Sequence, residues 1–337
     1  MEGLRGFAVS LVFIQHFTTQ LLLLFHPAGM SRSIAEALSS YGNEGVELFF
    51  VLSGYLIYGA LIRRPSIWKF MRRRVQRIYP AFLVAFAIGL AIALIVSHKV
   101  PAAAFDAALY LVANLLLLPG LFPIEPVFAV AWSLSYEMFF YWAIALAVVL
   151  FGLNSRSRTT RILVIALGAA LLTGLSVARL PYVPVRMLPF FAGMLLVEID
   201  EIGTSPLLAL GALAAPAVAF FAAPLLRNNL ISGAAAAEEW VHTIAFFILC
   251  FACFRLRNIA AQVFSWAPLR WLGNMSYSYY LLHGFVVKAA MEGMARMAGH
   301  HLPDAALWML SLPIFAMTLV PAGLLFLWVE KPYSLDR

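Results

Sequence analysis

The sequence predicts an all-α fold, a polytopic membrane helical bundle of about ten transmembrane helices with a re-entrant or interfacial segment near 105–130. Hydrophobic residues make up 63% of the 337 residues, and charged residues make up only 12%. Apolar runs of membrane-spanning length recur from end to end. No internal repeat is evident and no polar stretch is long, so we expect one integral membrane domain over 1–337 without an extramembrane domain.

Ten segments have the length and apolarity expected of membrane-spanning helices. They are 6–26, 44–62, 79–97, 131–152, 162–178, 186–199, 206–224, 240–254, 271–290 and 305–329. An eleventh candidate near 105–118 is shorter, contains Asp106 and Asn114, and is followed closely by three prolines. We therefore expect 105–130 to enter the membrane only in part, from the outer side.

The basic residues favour the same number of spans and set the orientation. With the N-terminus inside and ten spans, 16 of the 23 Lys and Arg residues fall in cytoplasmic segments, chiefly at 63–77, 156–161 and 255–270. An eleventh full span would invert every later loop and weaken this bias. Both termini are therefore expected in the cytoplasm.

Arg5 and His16 make the first span a candidate site. Eleven residues separate them, and eleven steps of about 100° bring two side chains to within about 20° on one helix face. They are then about 16 Å apart along the axis, so His16 lies near the middle of the membrane if Arg5 marks its surface. An ionisable side chain at that depth is usually functional. The alternative is a histidine that hydrogen-bonds between helices as part of the packing.

Two carboxylates are candidates for a site in the outer half of the membrane. Glu47 lies near the outer end of the second span, with Tyr55 on roughly the same face, a combination that suits sugar hydroxyls and rings. Glu137 falls about 9 Å inside the fourth span, where a buried carboxylate needs a partner such as His16. The alternatives are an interfacial carboxylate in water and a structural bond between helices.

The ninth span carries one polar face in an apolar helix. Tyr279, Tyr280 and His283 follow Ser276 at helical spacings of three, four and seven. Such a face must look into the bundle or into a wet cavity. Hydrogen bonding between helices alone would also explain it.

The loop at 63–77 is strongly basic. If 66–78 is helical, Lys69, Arg73 and Arg77 recur at every fourth position and form one cationic stripe. A stripe of this kind suits a polyphosphate, because guanidinium groups give bidentate hydrogen bonds. The alternative is that these residues orient the protein and bind anionic lipid head groups.

Metal and nucleic-acid sites are not expected. Cys250 and Cys253 form a C-x-x-C pair inside an apolar span, without the polar setting or further ligands that a metal needs. The net charge of +7 is clustered beside hydrophobic spans, so it indicates anionic partners at the membrane face and no nucleic acid.

Together these motifs resemble the acyltransferase-3 family of integral membrane acyltransferases. The matching stretches, in the family's order, are 2–6 with His16, 45–57, 73–80, 132–134 with Glu137, 276–278 with His283, and 330–332. The family often has Asp where this chain has Glu2 and Glu47. Many relatives carry a periplasmic hydrolase-like domain, and this chain is expected to be similar to the compact exopolysaccharide O-acetyltransferases.

The resemblance implies transfer of an acyl group, usually acetyl, from cytoplasmic acyl-CoA to a hydroxyl of an extracytoplasmic or lipid-linked polysaccharide. It makes Arg5 and His16 a signature pair in a bacterial inner (plasma) membrane. On this basis His16 is the expected general base, and Glu137 is expected to orient it. Tyr280 or Asn274 would donate hydrogen bonds to the thioester oxyanion.

The layout of the chain fits this chemistry and predicts two binding sites. The expected contacts of acetyl-CoA are Lys69, Arg73, Arg74, Arg77 and Tyr79. The expected contacts of the acceptor are Glu47, Tyr55, Tyr280 and His283. A transporter or flippase for a glycoconjugate is the alternative function, because buried charges also mark transport paths.

Overall fold

The structure, a computed structural model, is a bundle of helices, and no β-strand occurs among the residues that it describes. These residues are 1–41, 44–64, 66–97, 100–101, 103–178, 185–200, 206–229, 234–256, 259–298 and 302–334. Their α-helices are α1 Glu2–Phe25, α2 Gly29–Tyr41, α3 Glu44–Arg63, α4 Ile67–Ile92, α5 Ala104–Leu115, α6 Ala131–Leu150, α7 Arg158–Val177, α8 Leu188–Glu198, α9 Pro206–Asn229, α10 Ala234–Arg255, α11 Ile259–Val263, α12 Ala267–Asn274, α13 Ser276–Ala298, α14 Asp304–Met309, α15 Ser311–Leu325 and α16 Lys331–Ser334. Short 3₁₀ turns lie at Leu153–Ser155 and Val185–Met187, and π turns lie at Ala93–Ser97 and Phe326–Glu330.

The predicted class, a helical membrane bundle, is confirmed. Seven stretches of the described chain are long and apolar enough to cross a membrane by length and composition. They are Glu2–Phe25, Gly29–Arg63, Ile67–Val96, Ala131–Leu150, Arg158–Val177, Ala236–Arg255 and Asp304–Tyr333. Two of the ten predicted spans differ from expectation: α8 has only 11 residues, and the segment at 271–290 is broken at Met275, between α12 and the 23-residue α13.

The segment near 105–130 begins with a short helix and continues as an irregular loop. The 12 residues of α5 extend about 18 Å, well short of a hydrocarbon layer of about 30 Å. Asn114 holds the loop against this helix, because its amide donates to the carbonyls of Tyr110 and Glu125 and its oxygen accepts from the Val127 N–H. This agrees with an element that enters the membrane only in part.

Close backbone contacts at glycines set the position of α1. A Cβ atom on Gly45, at the start of α3, would lie 2.5 Å from the Ala8 carbonyl oxygen and 2.8 Å from Val12. A Cβ atom on Gly3 would lie 1.8 Å from the Phe264 carbonyl oxygen, just before α12. Only glycine allows these approaches. The middle of α1 therefore packs on the start of α3, and the first turn of α1 lies beside the middle of α3.

One end of the bundle, where α3 ends and α4 and α7 begin, collects basic residues and is called the basic end below. Arg161 binds both carboxylate oxygens of Glu198 at 2.8 and 2.7 Å, and Tyr58 donates to the same carboxylate at 2.7 Å. This network ties α3, α7 and α8 together. At the opposite end, α3 and α6 begin.

Candidate functional site

A cavity of about 80 Å³ lies between α1, α3, α4, α6 and α13. Arg5, Arg74 and Arg77 line it, and Glu137 supplies the carboxylate of its lining. We call it the arginine cavity. Three guanidinium groups against one carboxylate leave a surplus of positive charge, which suits an anionic or strongly polarised ligand.

Hydrogen bonds fix Glu137 within this cavity. Its carboxylate accepts from the Ser53 hydroxyl at 3.0 Å and from the Tyr141 hydroxyl. The Arg74 guanidinium lies over the rings of Phe70 and Tyr141, 5.4 and 5.7 Å from their centroids. Ser53 of α3 therefore helps to position the Glu137 carboxylate, and aromatic side chains of α4 and α6 position the Arg74 guanidinium.

Arg5 lies in the first turn of α1 and reaches into the arginine cavity. Arg5 lines the same cavity as Ser53, which lies nine residues after Glu44 and ten residues before Arg63. At 1.5 Å per residue, Ser53 is about 14 Å from either end of α3. Arg5 is therefore level with the middle of α3, although Glu2 in the same turn pairs with Arg270 and both of those side chains are about half exposed. Its expected place at the cytoplasmic membrane surface stays a prediction.

A second cavity, of about 150 Å³, surrounds His16 and is called the histidine cavity. Its lining is Val12, Gln15, His16, Val46, Ala129, Val130, Trp132 and Tyr280. Val46 and Trp132 belong to the first turns of α3 and α6. His16 thus lies level with the starts of α3 and α6, on the side of the arginine cavity away from the basic end, and α1 continues for nine residues beyond it. Its depth in the membrane stays a prediction.

Tyr280 lies between the two cavities, and together with Val46 it lines both. Its hydroxyl is 2.7 Å from the Ser133 hydroxyl and 3.3 Å from the Val130 carbonyl. The side chain is buried. Asn274, the other expected donor to an oxyanion, is exposed at the end of α12 and lines neither cavity.

His283, not Glu137, is the ionisable side chain beside His16. The two imidazole rings are 4.9 Å apart at their centroids and are inclined at 70°. Glu137 is engaged with Ser53 and Tyr141 instead. The expected contact between Glu137 and His16 is therefore replaced by a pair of histidines.

The predicted cationic stripe is divided by the rotation of α4. Lys69 and Arg73 are exposed, whereas Arg77 lines the arginine cavity. Each step of four residues turns the helix by about 40° beyond a full turn, so Lys69 and Arg77 differ by about 80°. Arg74 lies instead on the buried face with Phe70 and reaches the cavity.

Tyr79 and Tyr55 have structural contacts and line neither cavity. The Tyr79 hydroxyl donates to the Leu115 carbonyl at 3.1 Å and so ties α4 to the end of α5. The Tyr55 ring stacks on Phe254 at 4.9 Å, and the Arg255 guanidinium lies 5.8 Å from its centroid.

Glu47 belongs to a buried cluster that the sequence alone did not reveal. His242 of α10 lies between two carboxylates, 3.0 Å from Glu44 and 3.4 Å from Glu47. All three side chains are buried. A lone histidine in an apolar span was the available signal, but its partners are almost 200 residues away in the sequence.

Three comparisons with known proteins bear on this arrangement. A profile of the acyltransferase-3 family, described as an acyltransferase domain, matches residues 1–328. The chain is 27% identical to "Acyltransferase MdmB" of Streptomyces mycarofaciens, over 98% of this chain and 90% of the relative. It is 30% identical to "Exopolysaccharide production protein ExoZ" of Rhizobium meliloti, over 75% of this chain and 80% of the relative.

A third relative is longer than this chain. "O-acetyltransferase OatA" of Staphylococcus aureus is 26% identical over 84% of this chain, but the matched part is only 49% of the relative. No solved structure matches the chain significantly.

Proposed function

Because the chain belongs to the acyltransferase-3 family, we propose that it transfers an acetyl group from acetyl-CoA to a hydroxyl of an extracytoplasmic or lipid-linked polysaccharide. One observation carries this proposal. Two cavities meet at Tyr280, one rich in arginine and the other containing His16. Acyl transfer between two large substrates needs such a pair of sites with a common reaction point. The names of OatA and ExoZ support an acetyl group as the group transferred and a polysaccharide as the acceptor.

The arginine cavity is the proposed path of the donor. Its space of about 80 Å³ suits a slender thioester arm rather than a nucleotide. The phosphate groups of CoA would then lie outside, near Lys69 and Arg73, which are exposed at the start of α4. Arg74 and Arg77 would bind the polar groups of the arm or a phosphate at the mouth of the cavity.

His16 is the proposed general base. Its imidazole takes the proton of the acceptor hydroxyl while the hydroxyl oxygen attacks the thioester carbon. The bond between this carbon and sulfur then breaks, and the proton passes from His16 to the departing sulfur to give the free thiol of CoA. The Tyr280 hydroxyl donates to the oxyanion between these steps. Arg5 lies in the arginine cavity, on the side of the acyl donor.

The orientation follows the distribution of charge. Basic residues collect at the end where α4 and α7 begin, so we place that end and both termini in the cytoplasm of a bacterium, with the protein in the inner membrane. The histidine cavity then lies toward the outer side, where the polysaccharide would enter.

The test follows the release of thiol from acetyl-CoA by protein in nanodiscs, with and without a panel of bacterial polysaccharides, and detects acetyl esters by mass spectrometry. His16→Asn is expected to abolish transfer. His26→Asn is the matched control, because His26 is exposed with a left-handed φ of 47°, a conformation that Asn tolerates. Full transfer by His16→Asn would refute the base. Movement of glycan without any thiol release would favour the transporter.

A further inference from the structure

His283 is the fully buried member of the histidine pair. It is 0% exposed, and its ring stacks on Tyr279 with the centroids 5.3 Å apart. His16 lies beside this stack, with its ring centroid 4.9 Å from that of His283 and its plane inclined at 70°. His283 lines neither of the two cavities, so it touches their contents only through its neighbours.

The backbone fixes which nitrogen of His283 carries the proton. Nδ1 lies 3.0 Å from the Tyr279 carbonyl oxygen and 2.9 Å from the Tyr280 carbonyl oxygen. Carbonyl oxygens only accept hydrogen bonds, so Nδ1 must be the donor. In the neutral ring Nε2 then carries a lone pair. Among the described residues Nε2 has no hydrogen-bond partner.

The other polar side chains around the pair are already engaged. The Tyr279 hydroxyl accepts from Thr318 at 2.9 Å, and the Tyr280 hydroxyl is 2.7 Å from Ser133. An unpaired buried acceptor is costly and calls for an explanation. Of the neighbouring side chains, the His16 ring is the one that can supply the missing hydrogen-bond donor.

We propose that His283 is a positioning residue for His16, with its Nε2 accepting a hydrogen bond from the His16 ring when His16 carries the proton of the acceptor hydroxyl. This rests on the proposed function, in which His16 is the base. A neutral imidazole has one N–H, whereas an imidazolium has two. The nitrogen that takes this proton faces the acceptor hydroxyl and later returns the proton to sulfur, so the other nitrogen of His16 carries the N–H that His283 Nε2 accepts. The positive charge on the ring makes this N–H a stronger donor.

The proton balance is unchanged by this interaction. His16 takes one proton from the hydroxyl and later gives it to the CoA sulfur, while His283 keeps its proton on Nδ1 throughout. Because Nε2 meets a charged donor only during the reaction, the interaction is stronger in the transition state than in the ground state. Its loss should therefore lower kcat and leave the KM for acetyl-CoA unchanged.

The matched pair of variants is His283→Gln and His283→Asn. The longer Gln side chain places an amide oxygen near the position of Nε2 and keeps an acceptor there, whereas the shorter Asn side chain does not reach it. Loss of a hydrogen bond to a charged group corresponds to a decrease of about 10- to 150-fold. We expect His283→Asn to lower kcat by this amount at unchanged KM, and His283→Gln to recover most of it.

Two results would overturn the role of His283. One is a wild-type kcat in His283→Asn, and the other is an equal loss in both variants, which would indicate packing alone. If either variant does not fold, ¹⁵N spectra of the wild-type histidine rings decide, because a proton on Nε2 of His283 contradicts the proposal. The Leu–His pair used for assignment occurs only at 282–283. Activity in His16→Asn would instead refute the base itself.

Discussion

Arg77 and Arg73 offer a direct test of the donor site, because they lie four residues apart on one helix in different surroundings. Arg77 lines the arginine cavity, and Arg73 is exposed. A hydrogen bond to a charged group contributes about 1.5–3 kcal/mol, which corresponds to about 10- to 150-fold in affinity. An exposed charge pair contributes about 0.2–1 kcal/mol, or no more than about fivefold. Arg77→Ala should therefore raise the KM for acetyl-CoA far more than Arg73→Ala.

The assay is the initial rate of thiol release at varied acetyl-CoA and a fixed, saturating acceptor. Both variants remove one positive charge from the same helix, so any general effect of charge on lipid or on orientation is shared. Raising the salt concentration should reduce the effect of Arg73→Ala and leave most of the effect of Arg77→Ala, because exposed charges are screened more. Equal KM values in the two variants would refute the donor path through the arginine cavity. The cationic stripe of Lys69, Arg73 and Arg77 would then be better explained by lipid binding.

Two further predictions concern stability and the oxyanion. Arg161→Ala leaves the Glu198 carboxylate, whose side chain is 2% exposed, without its cation, so the free energy of unfolding should fall by about 3 kcal/mol. Arg158→Ala breaks a pair with Asp200, which is 84% exposed, and should change the free energy of unfolding by less than about 1 kcal/mol. A thermal unfolding scan in detergent compares the two variants. Tyr280→Phe keeps the ring but removes the hydroxyl, so kcat for thiol release should fall by about 100-fold at unchanged KM; a wild-type kcat would exclude Tyr280 as an oxyanion donor.

The helices were predictable because their signals are local. Length and apolarity mark α1, α3, α6 and α7, and the charge bias distinguished the short α5 from a full span. The break between α12 and α13 was not predicted. A polar run such as Ser276–Ser278 in an apolar segment indicates a buried polar face, but it does not show whether the helix continues through it.

The depth of the site could not be predicted from one helix. Eleven residues fix the distance between Arg5 and His16, but they do not fix where either lies in the bundle. That position depends on the contact of Gly45 with Ala8, two residues of different helices. The same holds for the pair of His16 and His283, which are brought together only by the packing of α1 on α13.

The inward position of Arg74 did have a signal in the sequence. Phe70, Arg74 and Ile78 are spaced four residues apart, and the two apolar members are buried. The spacing of the apolar residues alone predicts that Arg74 lies on the buried face. The spacing of Lys69, Arg73 and Arg77 predicts a shared cationic face instead, but two of these three residues are exposed.

The position of Arg5 in the arginine cavity limits what the two signature residues can do. Since His16 lies about 16 Å further along α1, a thioester that reaches His16 through this cavity must pass Arg5 on its way. Reacting atoms have to approach within about 3–3.5 Å, so the acyl carbon would lie near Tyr280, where the two cavities meet. Arg5 would then act on the arm behind the acyl group. On this reasoning Arg5→Lys should impair use of acetyl-CoA more through KM than through kcat, whereas His16→Asn should abolish kcat.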